Sequence, residues 1–288
     1  MAIGVYISYK ILDIADLTVD GSICTGACVC AVLLGLGVPV WVCVPVAFLT
    51  GALAGTVTGL LHTLLGIPSI LAGILTQLML YSVNLVILGG KSLMAVDLRA
   101  NVLLVHMSNN PMAIVAMIAM VAVTIIVLWQ FFYTEVGLTL KSTGDNPDMS
   151  RAQGVDVNRN KVIGLAIANG IVAMAGAMLA QYKGSANIND GRGAIVIALA
   201  AIFIGLSVSL KIKPNFVVSL IGVVSGGVVY YIVYNFVILL GLKTDYLKML
   251  SAVIVALFLG VPYMKAEYFT KQKMPQPNAK QSGGKADA

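Results

Sequence analysis

From Gly21 to Gly90 the chain carries no Asp, Glu, Lys or Arg, and Ala100 to Thr134 is free of them as well. A helix needs about 20 predominantly apolar residues to cross the hydrocarbon core of a bilayer. The first stretch has room for about three crossings and the second for one. Soluble domains are about one quarter charged, whereas only 10% of these 288 residues are, and 59% are hydrophobic. No soluble core hides that much apolar surface, so the chain reads as an integral membrane protein.

A closed β-barrel also satisfies backbone polar groups in lipid, but its strands alternate polar and apolar side chains. Runs such as Val162 to Ala180 and Phe216 to Leu240 do not alternate. The expected fold is therefore all-α, a polytopic transmembrane bundle of about eight or nine segments, including broken helices, with a short cytoplasmic coupling helix. Residues 1–264 form the membrane domain, with residues 134–161 as its cytoplasmic loop. Residues 265–288 end in a Gln-, Pro-, Gly- and Lys-rich tail that reads as disordered.

Met1 to Asp13 looks like the end of a helix rather than a cleavable signal, because it lacks a basic start and a small-residue cleavage pattern. A polar interruption, Leu12 to Ser22, follows, and Ser22 is placed to cap the next helix. Further spans are expected near Ser22–Leu36, Trp41–Leu61, Ser69–Leu88, Met112–Tyr133, Val162–Tyr182, Gly193–Leu210, Phe216–Leu240 and Leu247–Met264, with turns at Pro39 and Pro45 marking the first break. Small residues four apart, Gly51, Gly55 and Gly59 and again Gly222 and Gly226, suit close helix contact in lipid.

Placing the C-terminus inside puts twelve of the eighteen Lys and Arg on the cytoplasmic side and six opposite, as the positive-inside rule prefers. The net charge of +6 comes from cations scattered among hydrophobic segments, which argues against nucleic acid as a partner. Cys24, Cys28, Cys30 and Cys43 fall in apolar sequence with no accompanying His or carboxylate and read as packing residues rather than a thiolate metal site. His62 and His106 sit at segment ends far apart and define no site.

The longest polar interval, Glu135 to Lys161, lies on the side assigned to the cytoplasm. Asn146 suits an N-cap, Pro147 the first helical position, Asp148 the positive helix end and Gly154 the C-terminus. The expected product is a helix of about two turns. Such a rod is useful where another protein pushes on the membrane domain. An amphipathic loop resting on lipid headgroups is the other reading, although four cations and four acids nearly cancel.

Gly137 to Val155, reading GLTLKSTGDNPDMSRAQGV, followed by the small-residue helix Asn169 to Ala177, resembles the permease subunits of bacterial ABC importers in the branched-chain amino acid and ribose permease superfamily. Gly4-Val-Tyr-Ile-Ser and Ala15 to Ser22 are similar to the start of one branch, and the resemblance covers nearly the whole chain. It implies a bacterial inner-membrane importer built from two copies of this chain, two cytoplasmic ATPase subunits and an extracytoplasmic solute-binding protein. Thr143, Gly144, Asp145, Asn146, Pro147, Asp148, Arg151 and Gly154 would then be the contact with the ATPase. The nearest approach to a phosphate-binding loop in the chain itself, Gly89-Gly90-Lys91-Ser92, has Leu85 where the leading Gly belongs. Energy is thus expected from a partner or a gradient, with no cofactor and no catalytic set.

Carboxylates in or beside a membrane segment face a cavity or a partner, so Asp16 and Asp20 are either pathway residues or caps of the broken helix. Ser22, Gln77, Asn84 and Asn169 complete the candidate pathway, with interhelical hydrogen bonding as the other reading of the amides. The Gly-rich loop Lys183 to Gly193 suits an outer re-entrant or docking loop, or an ordinary connection. Asp13, Asp16 and Asp20 would share one helix face and imitate a membrane enzyme, but Val19 and Gly21 weaken the helix and no second acidic motif supports it. A gradient-driven transporter or channel would show inverted repeats or a deeply placed ionisable chain, and neither stands out. The resemblance spans amino acids, sugars and nucleosides as solutes, and an amino acid is favoured.

Overall fold

The computed structural model describes residues 1–96, 111–209 and 215–239, together with Met249, Ala252, Val253, Val255 and Ala256. The expected span Leu247–Met264, apart from those five positions, and the tail from 265 onward lie outside the described residues, as does His106. Ten α-helices and two three-residue strands are described. Five helices are long and apolar enough to cross a membrane, and two more are apolar but shorter.

The chain opens with α1, Ala2–Tyr6, which runs into a π-helical turn, Ile7–Ile11. It breaks at Asp13, whose φ of 54° lies in the left-handed region. Helix α2, Val19–Gly35, starts where the Asp16 carboxylate accepts the amide of Thr18 at 2.9 Å. The N-cap position is Thr18, so Ser22 does not cap this helix as the sequence suggested. It lies one turn inside, where its hydroxyl is free to bond elsewhere. Gly37, at φ 78°, ends α2 by letting the amides of Leu36, Gly37 and Val38 return to carbonyls of the last turn.

Helix α3, Val40–Thr63, follows Pro39 directly, and α4 spans Ser69–Ile87 after Pro68. Pro45 is a second correction, because it sits inside α3 rather than at a turn. Its ring removes one backbone bond near the start of the helix, a loss that transmembrane helices absorb. Strand β1, Leu93–Ala95, precedes α5, Pro111–Phe132.

The polar interval after α5 is more ordered than the sequence suggested. It holds α6, Glu135–Asp145, capped by the Thr134 hydroxyl, and then α7, Pro147–Ala152. Helix α8, Val157–Lys183, begins five residues before its expected start because Asp156 accepts the amide of Arg159 at its N-terminus. Strand β2, Ser185–Asn187, pairs antiparallel with β1, Leu93 opposite Asn187. Helices α9, Ala194–Ser209, and α10, Phe216–Leu239, complete the order.

Helix α8 is the axis of the bundle. At 27 residues it is about 40 Å long, enough to span the bilayer. A Cβ on Gly51 would strike Asn169 and Ala173, one on Gly55 would strike Leu165, and one on Gly59 would press on Val162. The glycine stripe thus sets α3 antiparallel against α8 at backbone contact, the expected use of small residues in lipid. Gly205 and Gly226 do the same between α9 and α10, against Gly222 and Ala201. Helix α2 runs with α8, through Ser22 on Asn169, Gly26 on Ala173 and Cys30 on Gln181. The four cysteines are buried and free. Outward faces of α3, α4, α5 and α10 expose Leu53, Val86, Ile118 and Ile232, as lipid-facing helices do.

Candidate functional site

Two ends of the bundle are defined by α8. Its N-terminus carries α6 and α7, and its C-terminus carries the β1–β2 pair. At the first end α7 stands out from the bundle. The Asn146 side chain accepts the amide of Met149 at 3.0 Å, Pro147 occupies the first turn, and Gly154, at φ 81°, closes the far side. Asp145, Asn146, Pro147, Asp148, Arg151 and Gly154 are exposed, whereas Ser150 is buried and its hydroxyl meets that of Ser142 on α6 at 3.3 Å. Arg151 and Asp148 form an exposed ion pair at 3.4 Å.

Thr143 and Gly144 do different work from the other six residues. Thr143 is buried and accepts the Asn160 side-chain amide at 3.0 Å, which ties α6 to the start of α8. Gly144 lies so close to the carbonyl of Ile11 that no side chain fits. Helix α6 is therefore clamped between α8 and the π-helical turn, with α7 as its exposed tip. Sequence reasoning missed α6, although Thr134 followed by Glu135 in its first turn is a legible helix start.

Beyond that turn the chain enters the interior. Asp16 accepts the Asn169 amide at 2.6 Å, Ser22 donates to the Asn169 carbonyl at 2.6 Å, and Thr18 and Thr58 share a hydroxyl contact of 2.7 Å. Asp16, Thr18, Ser22, Thr58 and Asn169 are all buried. Asn169 lies twelve residues into α8, about 18 Å along its axis, which places this network near the middle of that helix. Asp16, Ser22 and Asn169 are thus brought together, but the cavity beside them at Asp20 is lined by others.

That cavity, about 370 Å³, is lined by Asp20, Gln77, Leu78, Tyr81, Asn84 and Arg192, with Gly21, Cys24 and Ile188. Its shape comes from a re-entrant segment. After β2 the chain folds back so that Gly191 presses against the Asp20 carbonyl, and α9 starts inside the bundle. Asp20, in the first turn of α2, accepts the amides of Gly193 at 2.9 Å and Ile195 at 2.8 Å. It caps α9 rather than its own helix. Helix α9 then descends towards the α7 end, where Phe203 meets Tyr9 edge to face at 5.9 Å.

Asn84 is 1% exposed, and neither atom of its amide has a hydrogen-bond partner among the described residues. Arg192 and Tyr81, which sequence reasoning did not single out, join it in the cavity wall. Asp190 holds the loop above by pairing with Lys183 at 2.9 Å and accepting the amide of Asn187 at 3.3 Å. His62 at the other end contacts Lys161 at 3.3 Å and the Ile67 carbonyl at 2.8 Å, a structural use. Among the described residues no cluster of three His, Cys, Asp or Glu could hold a metal ion.

The family model for the permease component of branched-chain amino acid transport systems matches residues 1–261. The chain belongs to that family. This permease is 36% identical over 261 residues to a tyrosine transport system permease of Clostridioides difficile, covering 90% of this chain and 86% of the relative. It is 29% identical over 269 residues to an uncharacterized protein of Rickettsia prowazekii, covering 93% and 94% of the two chains. A ribose import permease of Escherichia coli K12 is 24% identical over 244 residues, covering 84% and 75%. No solved structure matches the permease. As an ABC importer permease it is a transport subunit, and the α6–α7 projection and the cavity beside α2 and α4 lie within the matched span.

Proposed function

We propose that this permease moves an amino acid, with tyrosine the first to test, across the bacterial inner membrane by alternating access driven by a separate ATPase. The observation that carries the reading is the α6–α7 unit, whose capped tip is exposed while Thr143 and Gly144 are locked into the bundle. Force on Asp148, Met149 or Arg151 has a rigid route to the π-helical turn and the start of α8, and from there to Asp16 and Asn169. The working assembly would hold two copies of this chain, two cytoplasmic ATPase subunits on the α7 tips and a solute-binding protein at the β1–β2 end, with the C-terminus cytoplasmic and lipid around the exposed apolar faces.

The solute preference follows the tyrosine transport permease, at 36% identity, over the ribose permease, at 24%. Asp20, Gln77 and Asn84 would face the solute, while Asp16, Ser22 and Asn169 would form the hinge that moves with α8. The test is to tag the chain, extract it in mild detergent with its neighbours co-expressed, and reconstitute it into vesicles. An ATPase subunit should co-purify in equal amount, and L-tyrosine uptake should require ATP. Uptake by the permease alone along an ion gradient would overturn the ATP-driven reading in favour of a secondary transporter.

A further inference from the structure

The cavity wall combines three features that a simple passage does not need. Asn84 buries both polar atoms of its amide without a partner, which in an apolar surrounding costs about 1–3 kcal/mol for such a group. Arg192 lines the same space and makes no ion pair with any described residue. Asp20 is held in place by the amides of Gly193 and Ile195, one on each oxygen, and a carboxylate with about four acceptor sites still has room for further donors. A cation and an anion thus face one cavity without pairing to each other. Leu78, Tyr81 and Ile188 supply its apolar wall. The volume of about 370 Å³ lies within the range of roughly 300–1,000 Å³ for small-molecule sites.

We infer that this cavity is a binding site for the zwitterionic head of an α-amino acid, with Arg192 taking the carboxylate, Asp20 the ammonium group and the Asn84 amide bonding the same head. The inference rests on the amino-acid importer reading and adds to it a site inside the membrane domain, where selectivity is exercised a second time after any external binding protein. A sugar, being neutral, would leave Asp20 and Arg192 facing one another with nothing between them to balance either charge. The apolar wall favours an amino acid with a large apolar or aromatic side chain.

Equilibrium binding of radiolabelled L-tyrosine to the purified permease, without ATP or binding protein, tests this directly. Tyramine, which lacks the carboxylate, 3-(4-hydroxyphenyl)propionate, which lacks the amine, and D-ribose serve as competitors. Binding should be displaced by unlabelled L-tyrosine and far less by the other three. Arg192→Gln should weaken L-tyrosine by about tenfold or more and lose the preference over tyramine. Asn84→Leu, close in shape, should weaken binding while leaving the melting temperature unchanged or higher, because it removes two unsatisfied buried groups. Absence of binding to the parent chain, L-tyrosine affinity within about twofold in both variants, or preferential displacement by D-ribose would each overturn the inference. ATP-driven uptake measured in parallel separates the two claims, since normal uptake beside any of those results leaves the importer reading intact.

Discussion

The side-chain amide of Asn169 donates to the carboxylate of Asp16 at 2.6 Å, joining residues 153 positions apart in the chain. The same Asn169 accepts from Ser22, so one amide in α8 closes the break between the N-terminal turn and α2. A polar bond across helices avoids an unsatisfied group in hydrocarbon. The partner left behind therefore matters more than the bond lost. Asn169→Leu should strand one oxygen of the Asp16 carboxylate, the other still accepting the Thr18 amide, and destabilise the chain by about 1–3 kcal/mol or more. Thermal unfolding in detergent, followed by loss of the monodisperse peak, reads this, and an unchanged midpoint would show that the network is not structural.

Asp20 caps α9 through the amides of Gly193 and Ile195. We expect Asp20→Ala to cost about 0.5–2 kcal/mol, the usual range for loss of an N-cap, and to lower uptake. Asp20→Asn keeps an acceptor and should recover most of the stability but less of the uptake. Equal recovery of both would reduce Asp20 to a cap.

Gly144 touches the Ile11 carbonyl. Gly144→Val should push α6 off the π-helical turn while leaving the spans inserted. In vesicles with the ATPase present, ATP hydrolysis should continue and uptake should fall. Full coupling in this variant would remove the α6–α7 unit from the route of force.

Gly55 in α3 meets Leu165 in α8 at backbone distance. Gly55→Leu should separate the two helices, and overpacking of this kind costs about 1–3 kcal/mol or more. The substitution Gly66→Ala, at a loop glycine with open space and φ 67°, should cost less, through backbone strain alone. A melting comparison that ranked them the other way would contradict the packing assigned to the glycine stripe.

Asp190 both pairs with Lys183 and accepts the Asn187 amide, whereas the Lys183 side chain makes only the ion pair among the described residues. With the Lys183 side chain 42% exposed, Lys183→Ala should cost no more than about 1 kcal/mol. Asp190→Ala should loosen the re-entrant loop and raise its proteolytic sensitivity. Identical protease digestion of the two variants would count against a structural role for Asp190.

The amino-acid sequence by itself determined the class, the five long apolar helices and the capped turn of α7. Charge-free runs and helical length are local quantities, and Asn146, Pro147 and Gly154 cap their helix through neighbours in the chain. Even the glycine spacing in α3 was readable as a contact face, though not its partner. Where local chemistry offered two answers, only the tertiary structure chose. Ser22 could have capped α2, but Thr18 holds that position and Ser22 bonds Asn169. Asp20 could have capped its own helix, but the chain returning at Gly193 takes both oxygens. Arg192 was legible only as part of a Gly-rich loop and Tyr81 not at all, because a cavity is made by segments distant in sequence. Its chemistry exists only once α2, α4 and the re-entrant loop are packed together, since burial, which leaves Asn84 without a partner, is a property of the assembled bundle.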